Sequence, residues 1–110
     1  MVSTPQQVAI ADAIQGVNML RPENVSVKIL GLVENMAWFT PAELPNNRYY
    51  IFGKNGVSKL AKEQNLPLLA QIPLVQGICD SGDNGKPISQ TNDATKGAFE
   101  ILADNMLKQL

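Results

Sequence analysis

Histidine is absent from this 110-residue sequence, and cysteine occurs once, at Cys79. Without histidine, the chain lacks the most common metal ligand and general base of proteins. One cysteine excludes an internal disulfide framework, and Cys79, beside an aspartate and with no basic neighbour, is typical of an inert, partly buried thiol. We therefore expect no metal site and no catalytic residue, and predict that the chain alone is inactive as an enzyme.

The sequence also has no large excess of charge of one sign and no long apolar run. The net charge is −1, with acidic and basic residues interspersed, so no basic field favours nucleic acid or a membrane surface as a partner. No apolar segment approaches the roughly 20 residues of a membrane span, and the amino terminus does not have the form of a signal peptide. These absences predict a cytoplasmic protein.

An apolar, β-branched run, Val27–Asn35, ends in a carboxylate and an amide. A run without polar alternation is typical of a strand covered on both faces, as in the parallel sheet of a layered α/β domain. Ligands of such sheets lie beyond the carboxyl ends of the strands, so Glu34, Asn35 and Met36 are the first candidates for a site. We predict one α/β domain over residues 1–110.

A helix is predicted after Thr4, which can cap it while Gln7 completes a capping box, and Pro22 would end it. Its buried stripe would be Ile10, Ala13, Ile14 and Val17. A sheet-packed helix normally follows a strand, yet only Met1–Ser3 precede Thr4. We infer that Val2 belongs to a truncated strand and that the chain is cut from a longer protein.

The rest of the chain divides into two predicted loops, two helices and a strand. Prolines and asparagines predict a long loop over Met36–Arg48, of the kind that binds a partner or moves. A short helix after Gly53–Gly56 and a buried strand at Leu68–Ile72 would complete a right-handed strand–helix–strand crossover. Residues Gly77–Asn92 have the composition of a loop. The last helix would begin near Asp93 and bury Phe99, Leu102, Ala103, Met106 and Leu110.

Three predicted strands end near Thr4, Asn35 and Pro73, which places these residues along one crevice with the outline of a nucleotide site. A helix cap explains Thr4, whereas Asn35 suits equally the reading of a purine edge and the anchoring of the next loop. Gly53–Gly56 fits a helix start better than a phosphate loop, since the Walker A spacing GxxxxGK[ST] is absent. Ser81–Pro87 lacks the terminal glutamate of a calcium loop and is interpreted as a structural turn.

The order of five motifs resembles that of one family. The motifs are Val2–Gln6, Gly31–Met36 with an aromatic loop after it, Ile51–Gly56 followed by Leu60 and Ala61, Ile72–Leu74, and Gly82–Pro87. Together they closely resemble the carboxy-terminal part of the Mrp/ApbC-type P-loop ATPases, relatives of the septum-site ATPase MinD and the nitrogenase iron protein. The resemblance covers essentially the whole chain.

This resemblance implies a P-loop NTPase fold and a cytoplasmic, ATP-dependent carrier that works as a homodimer and passes iron–sulfur clusters to apo-proteins. In such proteins the Walker A and switch segments lie upstream of Val2, so this chain would supply adenine-binding and dimer surfaces. By position, Asn35 corresponds to the adenine-reading amide, and Pro73 and Leu74 correspond to the segment that packs against the base. Mg-ATP would be the ligand of the full-length protein.

One departure from the family concerns the cluster. The family commonly has a Cys-x-x-Cys pair in the loop after Met36 that bridges a cluster across the dimer, and this sequence has Thr40–Pro45 there, without cysteine. Cluster ligands would then lie outside the chain or be lost. One alternative is a MinD-like ATPase whose loop Trp38–Arg48 docks a protein partner, and another is a stand-alone interaction module. Trp38 and Phe39 fit either core packing or docking.

Overall fold

The secondary structure alternates between short strands and helices. A computed structural model describes residues 1–21, 28–41, 43–44, 46–75, 77–88 and 92–110. The elements in chain order are β1 (Val2–Ser3), α1 (Gln7–Leu20), β2 (Leu32–Glu34), β3 (Phe39–Thr40), α2 (Gly56–Glu63), β4 (Leu68–Gln71), β5 (Leu74–Val75), α3 (Ile78–Asp83) and α4 (Asp93–Gln109). The predicted helix stop at Pro22 and the start of the predicted central strand at Val27 lie outside the described residues.

The predicted parallel α/β sheet is confirmed. Strands β1, β2 and β4 form a three-stranded parallel sheet in that order, with Val2 beside Val33 and Glu34 beside Gln71. The predicted strand at Val2 is therefore present as β1, at one edge of this sheet. Strand β2 occupies only Leu32–Glu34, at the end of the longer run that the sequence predicted.

Both faces of β2 are covered, which explains why its sequence does not alternate between apolar and polar residues. Leu32 packs on one face with α1 and α2, in a cluster made of Ala13, Val17, Leu32, Val57, Leu60 and Ala61. Val33 packs on the opposite face, in a second cluster made of Val33, Leu69, Ile72 and Ala98. The predicted stripe of α1 holds, with Ala13 and Val17 buried and Ile10 and Ile14 partly buried against the first cluster.

The predicted capping box of α1 is wrong. The helix begins at Gln7 after Gln6, whose side chain makes no capping hydrogen bond. Thr4 Oγ1 instead donates to Gln6 Oε1 at 2.9 Å. Thr4 is two residues away from the position that the capping box requires, so its hydroxyl satisfies a neighbouring side chain rather than a helix amide.

The predicted long loop over Met36–Arg48 contains a strand. Strand β3 pairs in parallel with β5, and Phe39 also exchanges two backbone hydrogen bonds with Tyr49, of 2.7 and 2.8 Å. Proline at position 41 follows the strand and so does not interrupt its hydrogen bonds. The loop prediction failed because β5, which stabilises β3, lies far along the chain.

The predicted loop over Gly77–Asn92 contains helix α3. Gly77, at φ 88°, precedes the helix, and Ser81 N–H donates to Gly77 O at 2.8 Å. Gly85, at φ 70°, lies in the turn that follows, so the glycines that predicted a loop mark the two ends of a short helix. The side chain of Cys79, and with it the predicted buried thiol, lies outside the described part of the chain.

Helix α4 begins at Asp93 as predicted, but it presents a different face to the core. Thr95 and Ala98 are buried and Leu102 is partly buried, while Phe99, Ala103, Met106 and Leu110 are exposed. Asn105 Nδ2 donates to Leu69 O at 2.7 Å, which fixes the rotation of the helix against β4. The residues that face the core, Thr95, Ala98, Leu102 and Asn105, keep helical spacing but lie on a face offset from the predicted stripe. None of the described helices has both the length and the apolar character that a membrane crossing requires.

Candidate functional site

The carboxyl ends of β1, β2 and β4 meet at one edge of the sheet, as the sequence predicted. Asn35 N–H donates to Ser3 O, and Ile72 N–H donates to Glu34 O, each at 2.8 Å. These two bonds place the residues that follow β1 and β4 on either side of the turn that follows β2. The polar residues Ser3, Thr4 and Asn35 therefore lie at the edge where ligands bind in other parallel sheets, and the segment that follows β4 brings Pro73 next to them.

Asn35 lies in the middle of this edge and is half-buried. Its Oδ1 accepts a hydrogen bond of 2.9 Å from Met36 N–H, and Met36 has a left-handed backbone at φ 53°. The side chain thus anchors a turn that a non-glycine residue adopts only at a cost. Asn35 Nδ2 donates to no described residue, and Oδ1 keeps a second lone pair, so an acceptor and a donor remain for a ligand.

A cavity of about 370 Å³ opens beside Asn35. Its lining combines the end of β1 with one side of α1 and consists of Met1, Val2, Ser3, Thr4, Ala9, Asp12, Ala13 and Asn35. Two hydroxyls, one carboxylate and one amide are its polar side-chain groups. This volume falls in the range of small-molecule sites, which combine an apolar lining with a few polar groups. Thr4, for which the sequence favoured a cap over a place in the crevice, lines the cavity.

Pro73 and Leu74 lie next to the Asn35 turn on its other side. Pro73 is buried, and Leu74 N–H donates to Trp38 O at 2.7 Å within the β3–β5 pair. Ala37 N–H donates to Ile72 O at 3.0 Å, so the two segments run side by side. Neither Pro73 nor Leu74 lines the 370 Å³ cavity. The structure thus brings the three predicted site residues to one edge without placing them around one cavity.

Glu34 is a polar residue of this edge whose contacts the sequence did not reveal. Its side chain is fully buried, with 0% exposure. Oε2 accepts from Val57 N–H and Oε1 accepts from Gln71 Nε2, both at 3.0 Å. Gln71 Nε2 also donates to Asn55 Oδ1 at 3.2 Å. We call this group of Glu34, Asn55, Val57 and Gln71 the Glu34 clamp. A carboxylate at the end of an apolar strand was the one visible indication of it.

The turn Gly53–Gly56 starts helix α2, as the sequence favoured, and does not form a phosphate loop. The Glu34 carboxylate already occupies the anion position at the first turn of α2. Gly56 also lies against the main chain of Pro5, since a Cβ on Gly56 would be 2.4 Å from Pro5 O. A phosphate at this turn would have to displace both the Glu34 carboxylate and the main chain of Pro5.

Metal ligands are not grouped in the described residues, where no cluster of three or more His, Cys, Asp or Glu side chains occurs. The residues Ser81–Pro87, interpreted as a structural turn, form the end of α3 and the turn after it.

Trp38 is partly buried, with the Arg48 guanidinium 4.1 Å from the ring centroid. This cation–π contact ties the two ends of the segment Trp38–Arg48 together.

Comparison with known proteins gives consistent matches along the whole chain. The sequence profile of the NUBPL iron-transfer P-loop NTPases, a ParA-type family, matches residues 1–107. An iron–sulfur cluster carrier protein of Synechocystis sp. is 42% identical over 94% of this chain and 29% of its own length. An Arabidopsis thaliana iron–sulfur protein required for NADH dehydrogenase, mitochondrial, is 41% identical over all of this chain and 35% of its own length.

A solved structure is similar to this chain in both sequence and fold. A nucleotide-binding protein of Archaeoglobus fulgidus, determined in complex with ADP, superposes with a TM-score of 0.60 and 34% identity over 77% of this chain and 35% of its own. The chain therefore spans about a third of the length of the proteins that it matches. From the profile match and these identities, the chain belongs to the NUBPL iron-transfer P-loop NTPase family.

Proposed function

We propose that this chain is the base-binding part of an ATP-dependent iron–sulfur cluster carrier. The proposal rests on the position of Asn35, at the edge where the carboxyl ends of three parallel strands meet. Its side-chain amide has a hydrogen-bond donor that no described residue uses. Relatives named as cluster carriers or transfer proteins, and a structural neighbour solved with ADP, support it.

We further propose that the chain is the carboxy-terminal part of a longer P-loop ATPase. Walker A and switch residues would then come from upstream segments, and Mg-ATP would bind between those segments and this edge. The full-length protein would act as a homodimer in the cytoplasm and deliver clusters to apo iron–sulfur proteins. A mitochondrial setting, carried in the name of the Arabidopsis relative, is the alternative for a eukaryotic source.

Adenine and Asn35 have matching hydrogen-bonding groups. Adenine presents an amino donor beside a ring-nitrogen acceptor, and an amide can pair with both at once. Asn35 offers the second lone pair of Oδ1 and the free Nδ2 for this pairing, while its other lone pair holds Met36 N–H. Pro73 and Leu74, next to the same turn, would pack against the base. Asn35 thus combines the two roles that the sequence left open.

The cluster itself is the cargo of such a carrier, and this chain offers few groups to hold it. Clusters are bound by cysteine thiolates, usually four of them, and each chain carries one cysteine and no histidine. In the segment where the resemblance places a cysteine pair, Thr40 is part of strand β3. We assign no cluster ligand to this chain and propose that the ligands come from the rest of the protein.

A MinD-like ATPase that docks a partner is the second candidate. It is favoured by the segment Trp38–Arg48, which has no cysteine and is stabilised by the Phe39–Tyr49 bonds and by the Arg48–Trp38 contact. Anaerobic reconstitution of the full-length protein with iron and sulfide separates the two candidates. A carrier gains cluster absorbance and transfers the cluster to an apo-protein, and a docking ATPase does neither.

The base-reading role is tested with two substitutions of Asn35 in the full-length protein. Asn35→Asp keeps the acceptor for Met36 N–H and replaces the Nδ2 donor by an acceptor. We expect an unchanged melting temperature, weaker ATP binding and a smaller preference for ATP over GTP, because guanine presents donors to a carboxylate. Asn35→Ala removes one or two hydrogen bonds to the base, so ATP affinity should fall by roughly threefold to a hundredfold. It should also lower stability by about 0.5–1.5 kcal/mol, because the bond to Met36 is lost.

The matched control is Asn18→Asp, which introduces the same charge at an exposed position of α1. Nucleotide affinities and thermal melts are measured for all three variants. If Asn35→Asp binds ATP and GTP as the unmodified protein does, the base does not contact Asn35 and the proposed site is wrong.

A further inference from the structure

The Glu34 clamp contains a buried carboxylate that the proposed nucleotide contacts do not use. Both oxygens of Glu34 accept hydrogen bonds from neutral donors, and no described lysine or arginine pairs with it. Burying a carboxylate away from cations is costly, and it is tolerated only when hydrogen bonds compensate it. A neutral cap residue would satisfy the first turn of α2 at less cost, so the carboxylate calls for a further explanation.

The clamp joins three segments around the Asn35 turn. Through Val57 and Asn55 it holds the start of α2, and through Gln71 it holds the end of β4. The start of α2 in turn presses against Pro5, next to Thr4 in the cavity wall. Glu34 is therefore the central member of a network that fixes the spacing between the segments surrounding the site.

Glu34 also precedes Asn35 directly in the chain. Its carbonyl accepts from Ile72 N–H at 2.8 Å, so side chain and main chain of Glu34 both bind the end of β4. A rotation of Glu34 would move the Asn35 amide relative to Ser3 on one side and Pro73 on the other. An error of about 1 Å in such a group is enough to lose a directional hydrogen bond.

We propose that Glu34 is a positioning residue for base recognition, which holds the Asn35 amide in register with the strand ends so that ATP is distinguished from GTP. This inference rests on the proposed function. Only a carboxylate can accept from Val57 and from Gln71 through two equivalent oxygens. A glutamine at position 34 has the same shape but must turn its NH₂ group toward one of these two donors.

The test compares Glu34→Gln and Gln71→Ala with Asn105→Ala in the full-length protein. Gln71→Ala removes the outer half of the clamp and leaves the buried carboxylate on Val57, so it decides the question if Glu34→Gln fails to fold. Asn105→Ala is the matched control, because it removes a hydrogen bond to the same strand, at Leu69, on the α4 side. Dissociation constants for ATP and GTP and thermal melts are measured for each variant.

We expect the ratio of the GTP to the ATP dissociation constant to fall by about threefold to tenfold in Glu34→Gln and by less in Gln71→Ala, corresponding to one weakened hydrogen bond. The ratio should stay unchanged in Asn105→Ala even where its melting temperature falls. Lower melting temperatures with an unchanged ratio in both clamp variants would show that Glu34 is only a helix cap. Failure of the unmodified protein to prefer ATP would instead overturn the proposed function, so the two failures are distinct.

Discussion

At the residue scale, the contact between Gly56 and Pro5 gives a sharp prediction. A Cβ at position 56 would lie 2.4 Å from Pro5 O, a main-chain atom that cannot move without shifting the end of β1. We expect Gly56→Ala to destabilise the protein by about 1–3 kcal/mol, the range of overpacking substitutions. Urea denaturation measures this change.

Gly97→Ala is the control for the same substitution inside α4, where nothing lies within 4 Å of the added Cβ. It should stabilise by up to about 1 kcal/mol, because glycine is a poor helix former. Equal effects at the two positions would contradict the close approach at Pro5.

Asn35 and Glu34 show how far single residues could be predicted. The place of Asn35 followed from the sequence, because a polar residue directly after a buried strand lies at the sheet edge. The partners of Glu34 did not, because Val57 and Gln71 are 23 and 37 residues away and no local pattern connects them. The role of Asn35 as a base reader stays a prediction.

At the scale of elements, the β3–β5 pair and the Phe39–Tyr49 bridge predict which amides exchange slowly. The amides of Phe39, Tyr49 and Leu74 each donate a hydrogen bond of 2.7–2.8 Å. We expect these three to exchange more slowly than the amide of Arg48, which donates to no described residue. Exchange at Phe39 and Tyr49 as fast as at Arg48 would show that this segment is the mobile loop that its prolines and asparagines predicted.

Helices and strands differed in how well the sequence predicted them. Helices α1, α2 and α4 and strands β2 and β4 were predicted because their apolar spacing is local. The two-residue strands β3 and β5 carry too little pattern by themselves, and each exists because the other pairs with it. The buried face of α4 was predicted wrongly because the residues that face the core, Thr95, Ala98, Leu102 and Asn105, include two polar ones and so do not form a continuous apolar stripe.

At the scale of the whole molecule, we expect the isolated chain to hydrolyse no ATP. The sequence contains no Walker A spacing, and among the described residues no acidic cluster is present that could hold magnesium. Phosphate release is measured with magnesium and ATP, and the full-length protein serves as the positive control. Magnesium-dependent turnover by a clean preparation of the 110 residues would overturn the proposal that this chain is the base-binding part of a longer ATPase.

The parallel α/β class was predictable because it depends on the runs that form the core, and the family match agrees with it. The second, smaller sheet was not, since the sequence indicated neither of its two-residue strands, and each forms by pairing with a distant segment. The edge position of β1 likewise depends on the whole arrangement. Local sequence patterns are thus not sufficient to predict which strands pair with one another.

The parallel pairing of β1, β2 and β4 also affects the order in which the helices and the sheet are expected to form. Val2 meets Val33, and Leu32 meets Leu68, so each contact of the main sheet closes a loop of some thirty residues or more. The entropic free-energy cost of closing a thirty-residue loop is about 2 kcal/mol higher than that of closing a four-residue hairpin. Because the hydrogen bonds within helices α1 and α2 are local, we expect these helices to begin forming before this cost is met and the sheet that carries Asn35 to be assembled late.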